Sequence, residues 1–484
     1  MSENKKNEML YEGITGIRDD LIDKADNYEF EKVKKLKKIK IRWVVMSMVA
    51  AAVVVVIIGS NLGSFGDSLI ANANVISEAE YPQLKPYPNE NSEFFDQEYD
   101  AWRESQKAQK REDGYATGLE SFFSVSIKQF LSDSGTKNRA FSPLNVYMAL
   151  GMLAELTDGN SRQQILDLLA AESIETLRKQ ASDVWNANYH NDNATTCVLA
   201  SSLWLNEDIT FHQSTMDSLS ENYYASSYRG KMGSNDFNTA LQAWLNKQTG
   251  GLLEQQTDNI KLDSNTIMAL ATTIFYQAKW DREFSKNKTE EAVFYGAASS
   301  DTCEFMHSRV DDNYYWGDNF GAVGKRLENY GGTMYFILPD EDVSVDDLLS
   351  DEEVMNFIQS SDLWENRKNL FINLSLPKFD FSSQLDLNEG LKALGVTDVF
   401  NESVSDFSPM TSDVNGIYVS KTQHDVRVAI DEEGVTAAAY TVMALTGAGM
   451  PPEDEMDFVL NRPFLFVINS SDGLPLFVGV VNQP

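Results

Sequence analysis

The sequence predicts an α+β domain built on a large, mostly antiparallel sheet, carried behind a single membrane-crossing helix. Three observations lead there. Helical periodicity dominates the early part of the region after about Tyr115, strand patterns dominate its last third, and one long run near the N-terminus contains no charged residue. Helices first and strands last argue against an alternating, doubly wound fold.

Composition bounds the reading before any motif does. The 484 residues are 42% hydrophobic and 11% aromatic, ample for one large core. One domain of about 370 residues with added segments accounts for the length. A formal net charge of −33 excludes a surface that gathers nucleic-acid phosphates.

Residues 1–31 place Met9, Leu10, Ile14, Ile17, Leu21 and Ile22 at helical spacings, a short amphipathic helix. Lys32, Lys34, Lys35, Lys37, Lys38, Lys40 and Arg42 then precede the uncharged residues 43–65. Crossing a hydrocarbon core takes ~20 apolar residues, so 43–65 reads as a transmembrane helix in the lipid bilayer. A cleaved leader fits less well, because the charged stretch of about 42 residues before it far exceeds the short basic start of such leaders. Basic residues on its N-terminal side place 1–42 in the cytoplasm and export the rest. Residues 66–114 are polar, with Pro82, Pro86 and Pro88 and a charged run from Arg103 to Asp113, and read as a stalk.

From about Tyr115 the domain elements follow in order. Helical spacing marks 119–131, 144–156, 162–169 and 238–248; strand patterns mark 333–338, 370–376 and 425–430. No internal repeat is present. In Phe141-Ser142-Pro143-Leu144-Asn145, either Ser142 or Asn145 suits the cap of the 144–156 helix, and Gly159 ends it. Asn160 or Ser161 suits the cap of the next helix. Cys197 and Cys303 lack metal-ligand spacing; they stay independent thiols or pair in an oxidising exterior, and the fold does not depend on that choice.

These segments carry a resemblance. Phe141 to Asn145 with Asp158-Gly159-Asn160-Ser161, then Trp244 to Leu253, then Ile274 to Trp280 with Phe284, resemble successive signatures of the serpin family. So do Leu376-Pro377-Lys378-Phe379, Leu391 to Asp398 with Phe400, and Asn461 to Phe466 with Leu476 to Gly479. The matches are ordered and span 115–484. The resemblance implies a serpin fold of three β-sheets, surrounding helices and an exposed reactive-centre loop, a monomer, and no cofactor or metal.

Catalysis by a Ser-His-Asp arrangement is the competing reading for an exported protein. His190, His212, His307 and His424 lack any nearby Gly-x-Ser-x-Gly, and the chain is not read as an enzyme. The resemblance instead places His424 with Ser142, Asn145 and Thr272 at the shutter beneath the central sheet. Thr272 stands where the family usually has Asn.

Glu432-Glu433-Gly434-Val435-Thr436-Ala437-Ala438-Ala439 resembles the hinge of inhibitory serpins, with Val435 in place of the usual Thr or Ser. An arm that slides into a sheet needs small or β-tolerant residues and neither proline nor charge. Alternation puts Val435, Ala437, Ala439, Thr441, Met443 and Leu445 on one face, the one expected to be buried, and Tyr440 on the face expected to stay outside. Taken alone, this alanine-rich run also suits a helix or linker. Counting forward from Gly434 and backward from Pro451 gives Ala448-Gly449 as the reactive bond, with Gly447-Ala448 and Thr446-Gly447 one or two bonds away. The implied partner is a serine protease, of elastase-like preference because Ala448 suits a shallow pocket. A non-inhibitory cell-surface binding module is the alternative.

Overall fold

A computed structural model describes residues 74–89, 91–257, 260–435 and 452–484. The first of two sheets has eight strands. Their order is Asn74–Ser77 (β1), Ala225–Gly230 (β5), Thr196–Asn206 (β4), Met268–Lys279 (β6), Gly434–Val435 (β14), Gln423–Ile430 (β13) and Phe379–Asp386 (β12), with His190–Asn191 (β3) on β4. The second has nine. It runs Glu455–Val459 (β15), Arg367–Pro377 (β11), Ser300–Trp316 (β8), Phe320–Arg326 (β9), Thr333–Pro339 (β10), Phe464–Asn469 (β16), Pro475–Val481 (β17) and Arg139–Phe141 (β2), with Glu290–Tyr295 (β7) on β8. Of the described pairings, β4–β5 and β11–β15 are parallel. Three expected sheets thus form two networks, because the 17-residue β8 pairs β7 and β11 along its length and β9 at its end.

Among the described residues, eight of the eleven helices precede β6. The eleven are Phe95–Gln109 (α1), Leu119–Leu131 (α2), Pro143–Leu156 (α3), Gly159–Leu168 (α4), Ile174–Asn188 (α5), Gln213–Asn222 (α6), Asn235–Gln248 (α7), Glu254–Thr257 (α8), Val345–Ser350 (α9), Glu352–Ser360 (α10) and Asn388–Ala393 (α11). In α2 the buried residues Leu119, Phe122, Phe123, Ile127, Phe130 and Leu131 form one apolar face. In α3 the apolar residues run all round, and the helix is correspondingly enclosed. Ser142 caps it, its hydroxyl accepting from the Asn145 N–H, with Pro143 in the first turn. α4 corrects the second expected cap. It starts at Gly159, and Ser161 instead accepts from the Asp406 N–H while Asn160 donates to Asp398.

The described part of the expected stalk is packed. β1 pairs with β5, putting Asn74 opposite Arg229, and the Tyr81 ring lies 5.0 Å from Trp185 and 5.5 Å from Tyr189. Trp102 of α1 is 1% exposed, and its indole N–H and the Gln106 amide each donate to buried Asp192 at 2.8 Å. The reason is local: Tyr81, Tyr87, Tyr99 and Trp102 concentrate apolar area in a segment whose average is polar, and each buried aromatic removes ~150–250 Å² from water. Among the described residues no helix is long and apolar enough to cross a membrane. The 43–65 run and the 1–31 segment lie outside those residues. Cys197 in β4 and Cys303 in β8 are free thiols, and burial pushes the Cys197 thiol up to about 12.

Candidate functional site

The turn between β13 and β14 is tied from every side. Asp431 Oδ1 accepts the N–H groups of Glu433 and Gly434 at 2.9 and 3.1 Å, folding the chain back on itself. Trp280, just past β6, donates its backbone N–H to the Glu433 carbonyl at 3.0 Å and its indole N–H to the Asp431 carbonyl at 2.9 Å. Phe284 N–H reaches the Glu432 carbonyl at 2.8 Å. Burial raises the Asp431 carboxyl despite the two amide bonds that favour its ionised form.

The two carboxylates of the expected hinge have separate partners. Glu432 is 6% exposed, and its Oε1 takes the Lys378 ammonium at 2.7 Å and the Thr289 hydroxyl at 2.7 Å. Burial pushes its carboxyl up, but the Lys378 and Thr289 bonds outweigh that and leave it below the usual carboxylate range. Glu433 meets Lys286 at the surface. Lys325 lies behind, 4.2 Å from the centroid of the Phe284 ring and 5.3 Å from that of Trp280, and burial lowers its ammonium to about 7.

Beyond the turn the chain enters the sheet. Gly434 pairs with Lys279, and Val435 pairs with Ala278 on one side and Ile430 on the other, antiparallel to both. A Cβ at Gly434 would sit 2.3 Å from the Ala278 carbonyl oxygen, so only glycine lets the strands close here. Val435 is 3% exposed, on the face where alternation placed it. Among the described residues β6 and β13 are joined only through this two-residue β14. Further along, Ile274 to Tyr276 and Asp425 to Val428 line the two sides of a groove backed by Ile468 and Phe477.

Of the residues expected at the shutter, Ser142, Asn145 and His424 come together. His424 Nε2 accepts the Ser142 N–H at 3.0 Å, its ring lies 5.4 Å from Phe141, and burial lowers its pKa to about 4. Asn145 joins through its N–H to Ser142 Oγ at 3.3 Å. Thr272 is half-buried on β6, paired with Ser201. The adjacent Thr273 hydroxyl is buried without a hydrogen-bond partner among the described residues.

After the loop, Glu455 to Val459 pair with Phe371 to Ser375 at the edge of the second sheet. Thr436, Ala437, Ala438, Ala439, Ala448 and Gly449 lie outside the described residues. Sequence reasoning gave no role to Lys378, Thr289, Lys286, Asp431 or Trp280. The adjacent acids Glu432 and Glu433 before an uncharged run called for cations, but which cations takes the fold to supply.

A family model described as serpin (serine protease inhibitor) matches residues 119–484. Serpin-ZX of Arabidopsis thaliana is 27% identical over 367 residues, 72% of this chain and 93% of that one. Alpha-1-antiproteinase 2 of Equus caballus is 28% identical over 380 residues, 76% and 87% of the respective chains. The crystal structure of the thermophilic serpin tengpin in its native state is similar at TM-score 0.69 and 27% identity, over 78% of this chain and 95% of that one. Its latent state gives 0.65 and 26%, over 77% and 99%. With β14 between the central strands, β15 on the edge of the second sheet and the family model covering residues 119–484, the chain belongs to the serpin family.

Proposed function

We propose that the chain is a suicide inhibitor of serine proteases, cleaved at or near Ala448-Gly449. The observation that carries this is the start of the loop: Gly434 and Val435 already form a strand between β6 and β13 while β15 keeps its place at the other end. The protease serine attacks the Ala448 carbonyl and forms an acyl-enzyme, releasing the Gly449 amine. The arm from Gly434 then lengthens β14 before water can reach the ester, carrying the protease with it.

The register sets what the arm meets. Six residues on from Val435, Thr441 falls beside Thr272, six before Ala278, and beside His424, six before Ile430. The one polar residue on the inward face of the arm therefore arrives at the polar row of the shutter. That a relative is solved in both a native and a latent state supports reading this chain as one with two stable arrangements.

The elastase-like preference follows from Ala448. We further propose that residues 43–65 anchor the inhibitor in a cell membrane with the domain outside. Incubation with elastase-like proteases tests the central reading: a detergent-stable covalent adduct supports it. Plain cleavage with no gain in thermal stability leaves the binding-module reading instead.

A further inference from the structure

The strand that follows the loop leads to an exposed aromatic row. β15 runs parallel to β11 with Glu455 opposite Phe371, so the residues preceding β15 approach the Arg367 end of β11. Asp454 fixes that direction: its carbonyl accepts the Phe371 N–H at 2.9 Å, and its carboxylate meets Lys368 at 2.5 Å. Tyr314 and Trp316 of β8 stand at this end, Tyr314 paired with Lys368, and Phe458 of β15, set farther along opposite Leu374, reaches the Tyr314 ring; the successive ring centroids are 6.2 and 5.9 Å apart. Exposure rises along the row, from 4% at Phe458 to 38% at Trp316. The Trp364 indole N–H donates to the Trp316 carbonyl at 2.9 Å, and the neighbouring Leu363 is 81% exposed.

Carboxylates of one sign border these apolar groups. Asp362 and Glu365 flank Leu363 and Trp364 in the chain, and Asp318 follows Trp316 by two residues. The Asp340 N–H donates to the Asn319 carbonyl at 3.0 Å, which brings the exposed run Asp340, Glu341 and Asp342 alongside. The nearby cations are engaged: Arg367 donates to the Asp362 carbonyl at 2.6 Å, and Lys368 is paired with Asp454.

Exposed apolar residues scattered singly carry no message. Here they continue a row that begins on the strand directly after the loop, and an apolar centre inside a charged rim is the anatomy of an interface. We infer that the Trp316 and Leu363 patch docks the body of the captured protease, and that the protease it fits is basic beside its active site. The inference rests on the inhibitor reading above.

The test uses the full-length chain in detergent with two elastase-like proteases, one basic and one acidic, and reads the rate of covalent adduct formation against salt. Trp316→Ser with Leu363→Ser slows the reaction with the basic protease about tenfold and leaves the acidic one unchanged. Asp340→Asn with Glu341→Gln and Asp342→Asn slows it several-fold at low salt and flattens its salt dependence, since rim charges act on association. The second variant changes only exposed side chains, so it decides the matter if thermal unfolding shows the first to be misfolded. Wild-type rates in the charge variant, or equal losses with both proteases, overturn the docking surface alone. No adduct from the unaltered chain with either protease removes the inhibitor reading and this inference together.

Discussion

At its mouth the slot between β6 and β13 is closed by bonds that count; at the shutter it is closed by few. The mouth has three backbone-directed hydrogen bonds from Trp280 and Phe284, the Asp431 turn and the Glu432–Lys378 pair. Among the described residues the shutter has the His424 bond to Ser142, the Asn145 N–H on Ser142 Oγ, the Phe141 ring against His424, a half-buried Thr272, and a buried Thr273 hydroxyl without a partner. The difference separates two tasks. On the proposed inhibitor reading, a bonded mouth holds the arm at Val435 until cleavage, and a sparsely bonded centre is cheap to part once the arm moves.

Removing the mouth's best bond should therefore have the largest effect. Glu432→Ala takes the shared partner from Lys378 and the Thr289 hydroxyl and, with Glu304 still 3.7 Å from Lys378, should cost about 3 kcal/mol, read from denaturant midpoints. A loss below about 1 kcal/mol would mean the mouth is held by packing instead.

Acid should act at the shutter. The His424 pKa is lowered to about 4 by burial, so the unfolded chain takes up a proton that the folded one refuses as pH falls below the ordinary value of 6.5. Stability from this group is complete above that value and lost toward pH 4, roughly 3 kcal/mol. His424→Gln should remove this share of the acid sensitivity; an unchanged pH slope would move the sensitivity elsewhere.

Gly434→Ala should cost about 2 kcal/mol, since its Cβ would collide with the Ala278 carbonyl. Loss of amide-exchange protection at Val435 should accompany it, and retained protection would show that the strands can spread to admit it. The smallest effect belongs to Thr272→Asn. A longer hydrogen-bonding side chain in the sparse row should stabilise by under about 1 kcal/mol and slow adduct formation. Faster adduct formation would contradict the contrast between mouth and shutter.

Much of this was legible from residue patterns. The apolar face of α2, the all-round apolar α3, a cap at Ser142 or Asn145 and the inward face of Val435 follow from periodicity and local chemistry, because each depends on neighbours in the chain. The Glu432–Lys378 pair does not, since its members are joined only by the meeting of two sheets. Proline and charge hid the packing of β1 and α1, where a few rings outweigh the average. Asp192 holds Trp102 and Gln106 from outside that segment, so no reading of the segment alone finds it.

A suicide inhibitor differs from a substrate in that its loop traps the protease that cuts it. Intact-mass analysis of the chain after reaction with an elastase-like protease tests this most directly. A trap gives one adduct of protease with residues 1–448 and a separate fragment, 449–484, freed on denaturation. Cleavage at that bond with free protease and no adduct would contradict it.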